Sequence, residues 1–145
     1  MRGRPIGTIF VLGDSDKVLA ESRQLVLNPL QGHPESGRNV LSLDLEETLK
    51  EFATIDGAFI VRGDGVVLAA GVQLQAKPSK PLDLPAGLGT RHAAAAAITG
   101  STSAVAFAIS QSTGTVTVFK SGRILTQIQH SAGHRDRRSP MSEPS

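Results

Sequence analysis

Two short motifs in this chain hold the residues best suited to chemistry: Asp56-Gly57-Ala58 and Gly89-Thr90-Arg91-His92. We predict that Asp56 lies between a helix and a strand, exposed at the edge of a sheet. Gly57 has no side chain and leaves room beside that carboxylate. Carboxylate oxygens are ligands that suit Mg²⁺ or Mn²⁺. The first motif therefore predicts a cation-binding carboxylate or, alternatively, an Asp that serves only a turn.

The second motif is predicted to open an alanine-rich helix. Thr90 is a good N-cap, and the glycines near it let the backbone approach a ligand closely. The first turn of a helix offers unpaired N–H groups, and Arg91 adds a planar set of donors that suits phosphate. His92 could donate to a phosphate oxygen or only fill the turn. The alternative is an ordinary capped helix with a surface Arg, and no Gly-Lys-Ser/Thr follows that would make a Walker A loop.

Other polar residues give weaker signals. Ser110-Gln111 ends an apolar strand with a hydroxyl and an amide, which could orient phosphates but more commonly form a turn. The acidic residues on the predicted helix at 41–55 indicate a solvated helix face rather than a metal cluster. No Ser/His/Asp signature and no Cys nucleophile is present in the sequence.

The elements that must position these motifs alternate between extended and helical patterns. A hairpin is predicted around Gly63-Asp64-Gly65, and a proline-bearing loop leads from it to the second motif. Ser42 or Asp44 could cap the first long helix. Strands are predicted at 6–12, 58–62, 66–70, 104–110, 115–120 and 123–128, and helical segments at 16–20, 41–55 and 91–98. This order predicts a mixed α/β sheet with helices packed on it.

Composition limits the classes of protein to consider. The 145 residues suffice for one domain, expected at 1–128, with a polar tail at 129–145. The absence of cysteine fits a cytoplasmic protein, and no apolar run approaches the roughly 18 residues of a membrane span. Aromatic residues make up 3% of the chain and the net charge is +2, so a nucleic-acid surface is weakly supported. We expect neither a membrane nor a nucleic-acid partner.

Read together, three segments resemble the diadenylate cyclase (DAC) domain family: IDGAFIVRGDGVVLAAGVQL, GLGTRHAAAAAIT and AISQSTGTVTVFKSGRIL. The similarity covers roughly residues 4–126 with the expected order and spacing. It implies a mixed central sheet flanked by helices. It also implies that two ATP molecules are condensed into cyclic di-AMP with release of two pyrophosphates. Because each subunit supplies one nucleotide, the reaction needs a face-to-face homodimer or a higher symmetric homo-oligomer.

The resemblance also implies roles for single residues. Asp56 would bind Mg²⁺ or Mn²⁺ or help to activate the ribose 3′-hydroxyl, with Gln111 as a weak further metal ligand. The remaining positions would bind the nucleotide: Gly57 and Ala58 beside the ribose, Gly71 and Leu74 at the adenine, and Thr90, Arg91, His92 and Ser110 at the phosphates.

The chain departs from the family pattern at three places. Ala93 stands where the family commonly has the second Arg of Arg-His-Arg, and Gln111 stands where it often has Glu. Family members usually carry a helix before the first strand, for which residues 1–4 leave no room. A natural short form, a trimmed chain or a misplaced start would account for that. An active cyclase is the first hypothesis, a catalytically weak module that binds ATP or cyclic di-AMP is the second, and an assembly subunit is the third.

Overall fold

The computed structural model describes residues 7–54, 56–77, 89–110 and 112–129. Three parts of the chain for which the sequence made predictions lie outside these residues: most of the proline-bearing loop, Gln111, and most of the polar tail. In chain order the elements are β1 (Thr8–Leu12), α1 (Ser15–Ala20), β2 (Ser22–Gln24), α2 (Glu46–Phe52), β3 (Ala58–Val61), β4 (Val67–Leu74), α3 (Thr90–Ser101), β5 (Val105–Ile109), β6 (Val116–Lys120) and β7 (Arg123–Ile128).

The strands form one mixed sheet, which confirms the predicted α/β class. Its order is β2-β4-β3-β1-β5-β6-β7. β1 and β3 are parallel, and the other neighbouring pairs are antiparallel. The parallel pair lies at the centre of the sheet with α1 and α2 between its strands along the chain, as parallel strands require a crossover connection. Among the described residues, no helix is long and apolar enough to cross a membrane.

The face covered by α3 holds the larger hydrophobic core. Val11, Ile60, Ile98 and Phe119 are completely buried there. The alanines of α3 are buried as well, and their small side chains let the helix backbone approach the sheet closely. At the end of the helix a Cβ on Gly100 would lie only 3.4 Å from the Cα of Gly122. This close contact fixes the height of α3 above the sheet and therefore the position of its first turn.

The opposite face of the sheet is covered in part by α2. Phe10 stacks on Phe59 with ring centroids 4.6 Å apart. Leu49 and Phe52 of α2 pack onto this cluster, together with the buried Leu45. Leu45, Leu49 and Phe52 therefore form the face of this segment that packs on the sheet.

The predicted helix at 41–55 was too long. A 3₁₀ turn, Leu43–Leu45, precedes α2, which begins at Glu46. Leu41 and Leu43 are 83% and 85% exposed, so the first part of the segment buries too little apolar area to stabilise an α-helix. Neither predicted cap, Ser42 or Asp44, makes a capping side-chain hydrogen bond.

Two further features were not predicted. Strand β2 was missed because its three residues carry no alternating pattern and pair only with the end of β4. The predicted strand ended at Ala70, before Gly71, whereas β4 continues to Leu74. Gly71 lies inside β4 with φ of +72°. The register of β3 and β4 shifts twice between Ala58 and Val61, so β4 bulges opposite β3.

Candidate functional site

The strand register brings the predicted site residues to one edge of the sheet. β1 and β3 both begin there, with Ile9 paired with Ala58. β5 ends there, with Ile109 paired with Thr8. Adjacent strands lie about 4.8 Å apart, so the start of β3 and the end of β5 are about 10 Å from each other across β1. We call this the motif edge, since both sequence motifs lie at it.

Asp56-Gly57-Ala58 enters the sheet at the motif edge. Ala58 is the first residue of β3 and is buried, whereas Asp56 is exposed just before the strand. Gly57 has φ of +108°, and a Cβ there would lie 2.8 Å from both the backbone N and O of Val72. Only glycine fits both the dihedral angle and the space. Gly57 therefore lets the chain pass directly against β4 just after the exposed Asp56.

The end of β4 supplies the two positions implied for the adenine. Gly71 is buried, and its carbonyl accepts from Leu25 N–H at 2.9 Å. Leu74 is half-buried and packs against the core beneath α3. Because Val72 pairs with Ala58, these residues flank the first motif.

The first turn of α3 lies over the beginning of β1. Ala93 N–H donates to the carbonyl of Gly89 at 3.2 Å, which is the first bond of the helix. The N–H groups of Thr90, Arg91 and His92 come before that bond and have no acceptor within the helix. The predicted N-cap was wrong: Gly89 is the N-cap, and Thr90 is an exposed residue of the first turn with no capping bond.

The Arg91 side chain reaches the start of β1 and lies against Gly7. A Cβ added at Gly7 would fall 1.7 Å from Arg91 Cζ and 2.0 Å from its Nε and Nη2. The guanidinium thus occupies the space that any other residue at position 7 would fill. This contact holds a positive charge at the motif edge, next to the N–H groups of the first turn of α3.

His92 turns towards β6. Its Nε2 lies 3.4 Å from Thr117 Oγ1, and its ring meets Phe119 edge-on with centroids 5.7 Å apart. Burial and, to a smaller degree, the positive charge of Arg91 lower the pKa of His92 below its ordinary value of 6.5. The imidazole is therefore neutral near pH 7, and in this state it can take part in hydrogen bonds but carries no charge.

Ser110 follows β5 at the motif edge and closes a turn. Its N–H donates to the Thr115 carbonyl at 2.9 Å, and its carbonyl accepts from Gly114 N–H at 2.7 Å. Its hydroxyl lies 3.1 Å from that of Ser112. The structure thus brings Asp56, Ala58, Arg91 and Ser110 to one edge. Gln111 lies outside the described residues.

The comparisons with known proteins agree on one family. The family described as DisA bacterial checkpoint controller nucleotide-binding, DAC, matches residues 1–124. The chain belongs to the DAC family. A protein of Methanocaldococcus jannaschii named diadenylate cyclase is 45% identical over 123 residues, which cover 85% of this chain and 38% of that protein. One of the same name from Haloferax volcanii is 37% identical over 132 residues, covering 90% and 47%. The chain thus spans less than half the length of these curated relatives.

Two solved structures share the fold of this chain at lower identity. A hypothetical membrane-spanning protein of Bacillus cereus superposes with a TM-score of 0.55 at 22% identity, covering 86% of this chain and 55% of that one. DacA from Staphylococcus aureus gives 0.52 at 21% identity, covering 86% and 76%. At these identities the likeness concerns the fold, and it agrees with the mixed sheet flanked by helices.

The oxygen ligands described at the motif edge are too few to hold a cation alone, but they could hold one together with other ligands. Among the residues described, no group of three or more His, Cys, Asp or Glu side chains could hold a metal by itself. Asp56 offers a single exposed carboxylate. Mg²⁺ is commonly bound by one or two carboxylates plus substrate phosphates and water. The motif edge therefore fits a cation that would take its remaining ligands from phosphate and water.

Sequence reasoning missed two residues of this region, Gly7 and Thr117. Gly7 precedes β1 by one position, and nothing local distinguishes it from a strand-end glycine. Thr117 is a polar residue among the apolar positions of β6, and this was a signal that could have been used.

A further polar cluster lies at the other end of the strands, and a cavity on the α2 face reaches the motif edge only at Thr8 and Ile109. Arg62 binds Asp64 at 2.7 Å and Glu35 at 2.8 Å at the hairpin turn, the opposite edge of the sheet. A cavity of about 400 Å³ lies on the α2 face, lined among others by Phe10, Leu49 and Lys50. None of the residues predicted for the site lines it.

Proposed function

We propose that this DAC domain condenses two ATP molecules into cyclic di-AMP and two pyrophosphates. The observation that carries the proposal is the convergence at the motif edge: the exposed Asp56 beside Gly57, and Arg91 over Gly7 in the first turn of α3. The family match and the names of two relatives support the same reaction.

The reaction is an in-line displacement. The 3′-oxygen of one ATP attacks the α-phosphorus of the other, the bond to the β-phosphate oxygen breaks, and pyrophosphate leaves. A second, equivalent step closes the ring. Positioning and charge neutralisation account for most of the catalysis in reactions of this kind.

Each part of the motif edge has a task in this proposal. Asp56 binds the divalent cation, Mg²⁺ or Mn²⁺, and lies beside the attacking 3′-hydroxyl. Such a cation, when bound, neutralises phosphate charge. Gly57 and Ala58 form the floor beside the ribose, while Gly71 and Leu74 line the adenine.

The phosphates are held from the α3 side. The N–H groups of the first turn and the Arg91 guanidinium donate to the triphosphate, because helix N-termini and planar guanidinium donors both suit phosphate. His92 adds a neutral donor, and the Ser110 hydroxyl contacts a phosphate from β5. Two such sites must face each other across a two-fold axis, so we propose a symmetric homodimer, at least during turnover.

A second candidate is a module that binds ATP or cyclic di-AMP with little turnover. It is favoured by Ala93, which lies in α3 directly after His92 and brings no charge to the phosphates. One missing charge-assisted hydrogen bond would cost about 1.5–3 kcal/mol of binding.

The two candidates are separated by turnover. Purified protein is incubated with ATP and either Mn²⁺ or Mg²⁺ beside Asp56→Asn, and cyclic di-AMP is measured by mass-resolved chromatography. The proposal expects product from the wild type and none from Asp56→Asn, which keeps most of its affinity for ATP. Absence of product, together with a rise in melting temperature on adding ATP, would favour the binding module. Equal product from both proteins would refute the role of Asp56.

A further inference from the structure

Thr117 carries a buried hydroxyl on the face of the sheet that α3 covers. The residue is 2% exposed, and Phe119 beside it on the same face is completely buried. A hydroxyl in such surroundings needs partners, because an unsatisfied one costs about 1–3 kcal/mol. Among the described residues its partners are Gln127 and His92. Gln127 Nε2 donates to Thr117 Oγ1 at 3.2 Å, and His92 Nε2 lies 3.4 Å from the same oxygen.

The contact with Gln127 has a fixed direction, whereas the direction of the contact with His92 depends on which ring nitrogen carries the proton. The amide N–H of Gln127 can only donate, so the Thr117 oxygen accepts from it. The Thr117 proton is then available for His92. Since burial keeps the pKa of His92 low, its ring is neutral near pH 7 and has one unprotonated nitrogen. A neutral ring that accepts at Nε2 carries its proton on Nδ1.

We propose that Thr117 and Gln127 are positioning residues that hold His92 as the Nδ1–H tautomer, so that this N–H is offered to a nucleotide phosphate. The edge-on contact with Phe119 helps to fix the plane of the ring. His92 lies in the first turn of α3, so its Nδ1–H adds a donor to the N–H groups there. The role towards phosphate rests on the proposed function, whereas the tautomer does not.

The tautomer is read directly from long-range ¹H–¹⁵N correlation spectra of the histidine ring, recorded at pH 8 without nucleotide. The wild type is expected to show the proton on Nδ1. Thr117→Val preserves the volume but removes the hydroxyl, so a mixture of tautomers is expected. Thr117→Ser restores the wild-type spectrum.

Gln127→Glu gives the sharpest test. A carboxylate can only accept, so it takes the Thr117 proton, and the Thr117 oxygen must then accept from His92. The proton of the ring is expected to move to Nε2. Thr126→Val, on the opposite face of β7, is the matched control and should leave the spectrum unchanged.

Nucleotide affinity supplies the second readout. Thr117→Val and Gln127→Glu should each weaken binding of a non-hydrolysable ATP analogue about 2- to 10-fold, and Thr117→Ser should restore it. A wild-type ring protonated on Nε2, or a spectrum that Gln127→Glu leaves unchanged, would overturn the proposal that Gln127 and Thr117 set the tautomer of His92. A changed tautomer with undiminished affinity would refute its role towards phosphate. If the wild type binds no ATP, the proposed function fails, and the spectra still decide the tautomer.

Discussion

Gly7→Ala is expected to weaken nucleotide binding without unfolding the protein. The added Cβ would lie 1.7 Å from Arg91 Cζ, whereas non-bonded carbon atoms rest about 3.5–4.0 Å apart. The guanidinium must therefore move by roughly 2 Å, which is enough to break hydrogen bonds to a phosphate. Each charge-assisted hydrogen bond is worth about 1.5–3 kcal/mol. We expect ATP to bind about 10- to 150-fold more weakly.

The stability of the fold should change little. The colliding atoms are the far end of a flexible side chain, so Arg91 can swing away without moving the backbone. The free energy of unfolding in urea should stay within about 1 kcal/mol of the wild type. Gly37→Ala, where a Cβ meets nothing within 4 Å, is the matched control and should affect neither quantity.

Calorimetric titration with a non-hydrolysable ATP analogue measures the effect. A double-mutant cycle with Arg91→Ala locates it, because Gly7→Ala should cause no further loss once the guanidinium is absent. Two results would refute the reasoning. One is wild-type affinity in Gly7→Ala while Arg91→Ala binds weakly, and the other is an equal loss from Gly7→Ala in both backgrounds.

Three further predictions concern other parts of the domain. Gly57→Ala places a side chain at φ of +108° and against the backbone of β4, so urea denaturation should show a loss of at least about 1–3 kcal/mol, and an unchanged midpoint would contradict the observed packing. Hydrogen bonding to Arg62 lowers the pKa of Asp64 to about 2 and also lowers that of Glu35. Their contribution to stability is therefore present above the ordinary carboxylate pKa and is lost as the pH falls from about 5 towards 2. Wild type and Arg62→Met should then differ less in melting temperature at pH 2 than at pH 7, and a constant difference would contradict this. Ala93→Arg adds a cation next to the first turn of α3, so titration calorimetry should show tighter ATP binding, whereas equal or weaker binding would place position 93 away from the phosphates.

Apart from β2, the strands of the described sheet and the two motifs could be predicted because their signals are local. Apolar β-branched runs mark β1, β3 and β5, and Gly63-Asp64-Gly65 marks the hairpin. Chain order and these runs were enough to predict a mixed sheet with helices on it.

Contacts between distant parts of the chain could not be predicted. Nothing near Gly7 in the sequence indicates that Arg91 will lie against it, since the contact depends on where α3 crosses the sheet. The orientation of His92 towards Thr117 depends on the same placement. The start of α2 was missed for a related reason: Leu41 and Leu43 continue the apolar pattern but find no core to pack against.

The central claim is that the two motifs form one nucleotide site at the motif edge. Its most direct test is a map of backbone ¹H–¹⁵N chemical-shift changes on titration with a non-hydrolysable ATP analogue and Mg²⁺. We predict that the largest changes occur together at Gly57, Arg91 and Ser110, while the hairpin turn at Asp64 stays unchanged. Changes confined to residues around the cavity on the α2 face, or changes at only one of the two motifs, would contradict the claim.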